Sequence, residues 1–213
     1  PKEQEPFAKI RYPETYCIGS TYSMLVFGLN IEEFEYAFQL DGPYDEKKGL
    51  RFHKDNILLD PYARAVTGQR HWGERPEGGK DFVYHARVVE NNFDWEKSRF
   101  LNHPFEDLVI YEMHVRGFTR DASSGVKAPG TFEGLREKIP YLKDLGINAV
   151  ELMPVFEFDE MEDTRVVDGE RLYNYWGYNT VCFFSPYTSY TSEVEHKHEG
   201  VEFKNLIYEL KEN

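Results

Sequence analysis

The chain has 213 residues, with 25 Lys and Arg against 38 Asp and Glu and a formal net charge of −13. Its 40% hydrophobic and 16% aromatic content is enough for a packed core and argues against disorder, while the acidic balance excludes a binder of nucleic-acid backbones. No apolar run reaches the ~20 residues of a membrane helix, no signal-type segment opens the chain, and two cysteines (Cys17, Cys182) are too few for a disulfide scaffold. A reducing, cytoplasmic setting is expected. The chain starts at Pro1 without a methionine and stops at Asn213 inside a helical pattern, so a piece of a longer protein is the expectation.

Residues 1–106 read as a β domain. Residues 21–29 (TYSMLVFGL), 34–40 (FEYAFQL) and 81–89 (DFVYHARVV) carry the β-branched and aromatic content of strands. Asp41, Gly42 and Pro43 form a turn signal, and Gly49, Gly68, Gly73, Gly78 and Gly79 break up the stretch after it. Short strands at this spacing predict a sandwich.

From Asp107 the periodicity changes. Residues 108–113 (LVIYEM) predict a buried strand. Phe132, Leu135, Ile139, Leu142 and Leu145 then stand at helical spacings, with Thr131 as N-cap, Glu133 at the positive helix start and Gly146 just past the end. Pro140 should bend this helix. Residues 147–155 (INAVELMPV) predict a second buried strand, so strand, helix and strand imply a right-handed βαβ unit with parallel strands. A long connection runs from Phe156 to about Glu199. Phe203, Leu206, Ile207 and Leu210 then trace the stripe of an amphipathic helix.

The long connection holds the main chemical candidates. Residues 173–178 (YNYWGY) offer aromatic faces that stack on sugar rings and amide and hydroxyl groups that bond sugar hydroxyls; equally, the rings could pack the loop onto its own domain. Phe183, Phe184 and Tyr187 are expected to pack. Glu157, Asp159, Glu160, Glu162 and Asp163 are expected to form a solvated acidic loop; a calcium loop would need ligand spacing and a glycine that they lack. Glu112 and Glu151 fall inside neighbouring strands and are expected to be buried and paired with a cation such as Arg116 or Arg136. His196 and His198, beside Glu195 and Glu199, read as a polar helix start rather than a metal site. No GxxxxGK[ST], helix-opening GxGxxG, HExxH, GxSxG or CxxC motif is present, so phosphoryl transfer, dinucleotide, metalloprotease and serine-hydrolase chemistry lack support.

Residues 108–119 (LVIYEMHVRGFT), 129–145 (PGTFEGLREKIPYLKDL), 146–157 (GINAVELMPVFE) and 175–186 (YWGYNTVCFFSP) together resemble glycoside hydrolase family 13, in its isoamylase and glycogen-debranching branch. Residues 34–43, 58–65 (LLDPYARA) and 92–95 (NFDW) are similar to the accessory starch-binding module of family 48. The resemblance implies a partial immunoglobulin-like β-sandwich over residues 1–106, followed over 107–213 by the first two βα units of a TIM (β/α)8 barrel. It implies hydrolysis of α-1,6 branch points of glycogen, starch or limit dextrin by a retaining double displacement. The three catalytic carboxylates of the family belong to later strands, beyond Asn213, so no catalytic residue, metal or cofactor is assigned and the piece itself is expected to be inactive. Tyr178 matches the family's tyrosine against the sugar at the cleavage subsite, and Trp176 and Asn179 flank it. The expected partners are an α-glucan and the remainder of the protein's own chain, not nucleic acid or membrane. The alternative is a non-catalytic α-glucan-binding module.

Overall fold

The computed structural model describes residues 6–31, 33–67, 71–75, 82–90, 92–95, 98–162, 164–193 and 199–213. Gly68, Gly78, Gly79, Asp81, Asp163, Glu195, His196 and His198 lie outside them. The described residues form a mixed α/β structure of small two-stranded sheets.

The N-terminal half pairs in ladders of two residues. β1 (Cys17–Ile18) and β2 (Thr21–Tyr22), β3 (Tyr44–Asp45) and β4 (Leu50–Arg51), and β5 (Ala65–Val66) and β6 (Ala86–Arg87) are antiparallel pairs. Isolated bridges join Tyr36 to Ala86 and Phe38 to Leu58. The continuous strands expected over 21–29, 34–40 and 81–89 are therefore reduced to short pairings. The apolar side chains of the first segment have no opposing layer: Leu25 is 81% and Phe27 86% exposed. β-branched and aromatic residues favour strands mainly by packing on a half-buried face, and that face is missing here.

The C-terminal half is built on β7 (Ile110–Met113) and β8 (Ala149–Leu152), which run parallel with Ile110 opposite Ala149 and Met113 opposite Leu152. α1 (Val115–Thr119) follows β7 directly, and the chain crosses over through α2 (Phe132–Arg136) and α3 (Ile139–Asp144). The single helix expected over 131–145 is thus two. Thr131 caps α2 by accepting from Gly134 N at 3.1 Å, and Pro140 falls in the first turn of α3, where its missing N–H costs no helical bond. Phe132, Leu135, Ile139 and Leu142 are buried as their spacing predicts, but Leu145, at the C-cap, is exposed.

The expected loop after β8 contains four strands. β9 (Phe156–Phe158) pairs antiparallel with β12 (Thr180–Pro186), and β10 (Arg165–Val167) forms a hairpin with β11 (Glu170–Leu172). Asp168 and Gly169, with φ of 51° and 86°, make its two-residue turn. α4 (Glu199–Glu212) lays Phe203, Leu206 and Leu210 onto the core formed by Met113, Val115, Phe132, Leu135, Phe158, Tyr187 and Tyr190. Arg136 ties α2 to α4, donating to Glu133 at 2.6 Å and 2.9 Å and to Glu209. A second cluster joins Ala63, Val66 and Ala86 to Cys182 of β12. No helix among the described residues is long and apolar enough to cross a membrane.

Candidate functional site

His114, which follows β7, organises the aromatic segment. Its Nδ1 accepts from Gly117 N at 3.0 Å, capping α1, and its Nε2 lies 2.7 Å from the Tyr175 carbonyl oxygen. A backbone amide can only donate and a carbonyl can only accept, so the ring is the neutral Nε2–H tautomer. Tyr190 Oη lies 3.1 Å from the same Nε2. Burial, first, holds the imidazole below its ordinary pKa; donation to Tyr175 opposes this and the Arg116 charge adds to it. The Tyr175 ring stacks on His114 with centroids 3.9 Å apart and planes within 8°. Its hydroxyl fills the space where a Cβ on Gly117 would stand. The aromatic segment is therefore pinned at the carboxyl end of β7.

Trp72 holds it from the other side. Its indole meets Phe158, Tyr173, Tyr175 and Tyr187 edge to face at 6.1–6.4 Å, and the Arg116 guanidinium lies 4.7 Å over its ring. Gly73 N donates to Glu160 Oε1 at 2.6 Å, and Arg75 donates to the Met161 carbonyl at 2.9 Å. The connecting segment 71–75 is thereby latched onto the acidic turn after β9.

The acidic stretch, which begins in β9 and runs into this turn, is only partly solvated rather than solvated throughout as expected: Glu162 is exposed. Glu157 and Glu160 are both fully buried. Glu157 Oε2 accepts from Thr188 N at 3.0 Å and Thr188 Oγ1 at 2.8 Å, while Glu160 Oε2 accepts from the Tyr187 hydroxyl. Burial raises the Glu160 pKa, against these hydrogen bonds. The stretch buries these carboxylates because Tyr187, Thr188 and Gly73 bring donors to them. Asp159 faces Arg75 at 3.7 Å and Asn179 Nδ2 donates to Glu162. No group of three or more described His, Cys, Asp or Glu residues is arranged to hold a metal ion.

Glu112 and Glu151 also depart from expectation. They stand opposite each other in the β7–β8 register, and both are exposed. Side chains alternate along a strand, so burial of Met113 turns Glu112 outward. The cations expected to pair with them are engaged elsewhere, Arg136 with Glu133 and Glu209 and Arg116 over Trp72.

Tyr178, Trp176 and Asn179 come together. With Tyr173, Asn174 and Tyr175 they line an open cleft of about 730 Å³. Tyr178 is 71% and Trp176 54% exposed, whereas Tyr175 and Tyr173 are tied into the packing beneath. Gly177 makes this division: its φ is +80°, and a Cβ there would stand 2.6 Å from the Phe158 ring. The segment thus presents Trp176 and Tyr178 outward, while Tyr173 and one face of Tyr175 are tied into the packing. No carboxylate lines the cleft. Of the residues expected to pack, Tyr187 is fully buried, but Phe183 and Phe184 are exposed, Phe184 stacking on Tyr62 at 5.4 Å. Periodicity and motif spacing do not single out His114, Trp72 or Glu160. A histidine three residues before a glycine at the end of a buried strand is the only local signal for the first; the others depend on contacts across 71–187.

No protein-family model matches the chain. Its relatives nonetheless agree on one class. It is 41% identical over 188 residues to isoamylase 1 of Arabidopsis thaliana, which covers 84% of this chain and 24% of the relative. It is 36% identical over 163 residues to the glycogen debranching enzyme of Dickeya chrysanthemi, covering 70% of this chain and 24% of that one. A solved product complex of the glycogen-degrading pneumococcal virulence factor SpuA superposes with a TM-score of 0.63 at 27% identity, covering 86% of this chain and 19% of the other. A pullulanase from Anoxybacillus sp. LM18-11 complexed with maltotetraose gives 0.50 at 28% identity over 72% of this chain and 22% of the other. The chain thus spans about a quarter of the length of the curated relatives it matches. Over that span it is similar to isoamylases and glycogen debranching enzymes.

Proposed function

We propose that this chain is part of an α-glucan debranching hydrolase that cleaves α-1,6 branch points of glycogen or starch with retention. The observation that carries the proposal is the aromatic cleft at the carboxyl end of β7, the end of a parallel strand at which α/β proteins bind ligands. In this reading residues 107–213 are the opening βα units of a (β/α)8 barrel, and residues 1–106 belong to an immunoglobulin-like starch-binding module. The parallel β7–β8 pair with its helical crossover supports the first assignment, and the similarity to whole debranching enzymes supports both. Tyr178 stacks on the sugar at the cleavage subsite, with Trp176 and Asn179 shaping its walls. A reducing cytoplasm suits the two free thiols, Cys17 and Cys182.

Retaining hydrolysis needs two carboxyl groups about 5–5.5 Å apart. The cleft wall has none, and Glu157 and Glu160 are fully buried beneath it. The chain should therefore hold glucan without turning it over, the carboxylates coming from the rest of the protein. Affinity electrophoresis in glycogen measures this. Retention lost in Tyr178→Ala and kept in Phe184→Ala supports the cleft; equal retention of both variants argues against it. Release of linear chains from a branched glucan by the 213 residues would contradict their inactivity. The lack of a carboxylate in the cleft also favours a second reading, a non-catalytic α-glucan-binding module. A longer chain that binds but never hydrolyses would select it.

A further inference from the structure

A second cleft, of about 550 Å³, opens beside the first, with Tyr175 in the wall of both. Arg116, Arg120, Gly117, Asp121 and Ala122 complete it. Arg116 and Arg120 stand four residues apart from the start of α1 to its C-cap, which places two like charges on one helical face. Among the described residues no carboxylate lies within ion-pair distance of either guanidinium, whereas Arg75 faces Asp159 and Arg136 faces both Glu133 and Glu209. Asp121, the one carboxylate in the wall, accepts from Ser123 N at 2.9 Å.

One side chain is fixed and the other is exposed beside it. Arg116 is half-buried and fixed over the Trp72 ring at 4.7 Å. Both lie against Gly130, where a Cβ would stand 3.2 Å from Arg116 Cγ and 3.4 Å from Arg120 Cδ. Gly130 has a φ of +81°, so a side chain there would be strained as well as crowded. Burial, followed by the Arg120 charge, pushes the Arg116 pKa down. Two like-charged guanidiniums in the wall of one open cleft, Arg116 fixed by packing and Arg120 exposed beside it, form a fork suited to an anion with several oxygens.

We propose that Arg116 and Arg120 form an oxyanion site for a phosphoryl group, either free phosphate or a phosphate ester carried on a sugar. The net charge of −13 opposes a polyanion, but charges beyond a Debye length of roughly 8 Å are screened at physiological salt, leaving the local pair dominant. The shared Tyr175 wall makes the ester geometrically natural, with a sugar ring in the aromatic cleft and its phosphate between the arginines. The site itself does not depend on the glucan reading, because inorganic phosphate tests it without any sugar.

Isothermal titration of the 213-residue chain with inorganic phosphate at low ionic strength is the measurement. Saturable binding, weakened roughly tenfold or more in Arg116→Gln and in Arg120→Gln and unchanged in Arg51→Gln on β4, supports the site. Arg120 is exposed, so Arg120→Gln carries the test even if loss of the Trp72 contact unfolds Arg116→Gln. Absence of saturable binding, or the same affinity in Arg120→Gln as in the unmodified chain, overturns the proposal. Glucose 6-phosphate and glucose separate the sources. Tighter binding of the ester than of phosphate identifies a sugar phosphate; equal binding identifies the free anion. Glycogen retention is read separately, so its failure leaves the phosphate result standing.

Discussion

His114 shows how one side chain can set the position of a binding segment. It accepts from one backbone amide, donates to one carbonyl and stacks on one ring. His114→Ala should cost about 2–3 kcal/mol, a buried polar contact and its packing, read as a shift of the urea midpoint. Its titration has a definite sign. With the folded pKa below 6.5, the unfolded chain takes up a proton first as the pH falls. This contribution leaves stability intact above pH 6.5 and lowers it progressively below, until the folded ring itself protonates. The loss of stability between pH 7.5 and 5.5 should therefore be smaller in His114→Gln than in the unmodified chain. Gly117 supplies a contrast with Gly200. Both lie in helices, where Ala is ordinarily better by up to ~1 kcal/mol. Gly200→Ala meets nothing and should stabilise slightly, whereas Gly117→Ala collides with the Tyr175 hydroxyl and should destabilise and weaken glucan retention. Thermal melts of the two variants moving in the same direction would count against this packing. Of these features only Thr131 as N-cap is legible from spacing; Tyr178 is singled out by the family resemblance, and its outward orientation is not. Glu157 and Glu160 read as solvated because nothing local announces that Thr188 and Tyr187 will meet them.

The helices show where periodicity suffices. The apolar stripe of α4 faces the core as its spacing predicts, with Leu206 buried and Phe203 and Leu210 partly buried against it. Leu206 is fully buried at the centre of that contact, so Leu206→Ala should cost about 2–5 kcal/mol in chemical denaturation. Arg136, bridging α2 and α4, is partly exposed, and Arg136→Leu should cost only about 1 kcal/mol, diminishing with salt. A loss as large as that of Leu206→Ala would mean the ion pairs, not the apolar seam, dock α4. The β10–β11 hairpin has a local signal inside the expected loop: Val-Val-Asp-Gly-Glu carries the Asp-Gly pair of a two-residue turn. Strand length is the weakest inference. Residues 21–29 have strand composition, but composition cannot supply the second layer that would make pairing favourable.

Across the whole molecule, the buried clusters are small and the exposed apolar surface is large. Ile18, Leu25, Phe27, Phe100 and Phe105 are each more than 80% exposed. Apolar side chains this exposed are accessible to a hydrophobic dye, so the native chain should bind ANS; a folded chain with no dye binding would show that they are covered in solution. The sequence by itself determined the parallel βαβ unit, the burial of Phe132, Leu135, Ile139, Leu142 and Leu206 and the grouping of Tyr178, Trp176 and Asn179, because each depends on periodicity or on neighbours in the chain. Tertiary structure alone decided which carboxylates are buried, which rings of the aromatic segment face outward, and that Arg116 and Arg120 line one cleft. Those outcomes rest on contacts between residues 71–75, 114–130, 157–160 and 175–190. A charge or ring takes its environment from whatever the fold brings beside it, and no spacing along the chain encodes that neighbour.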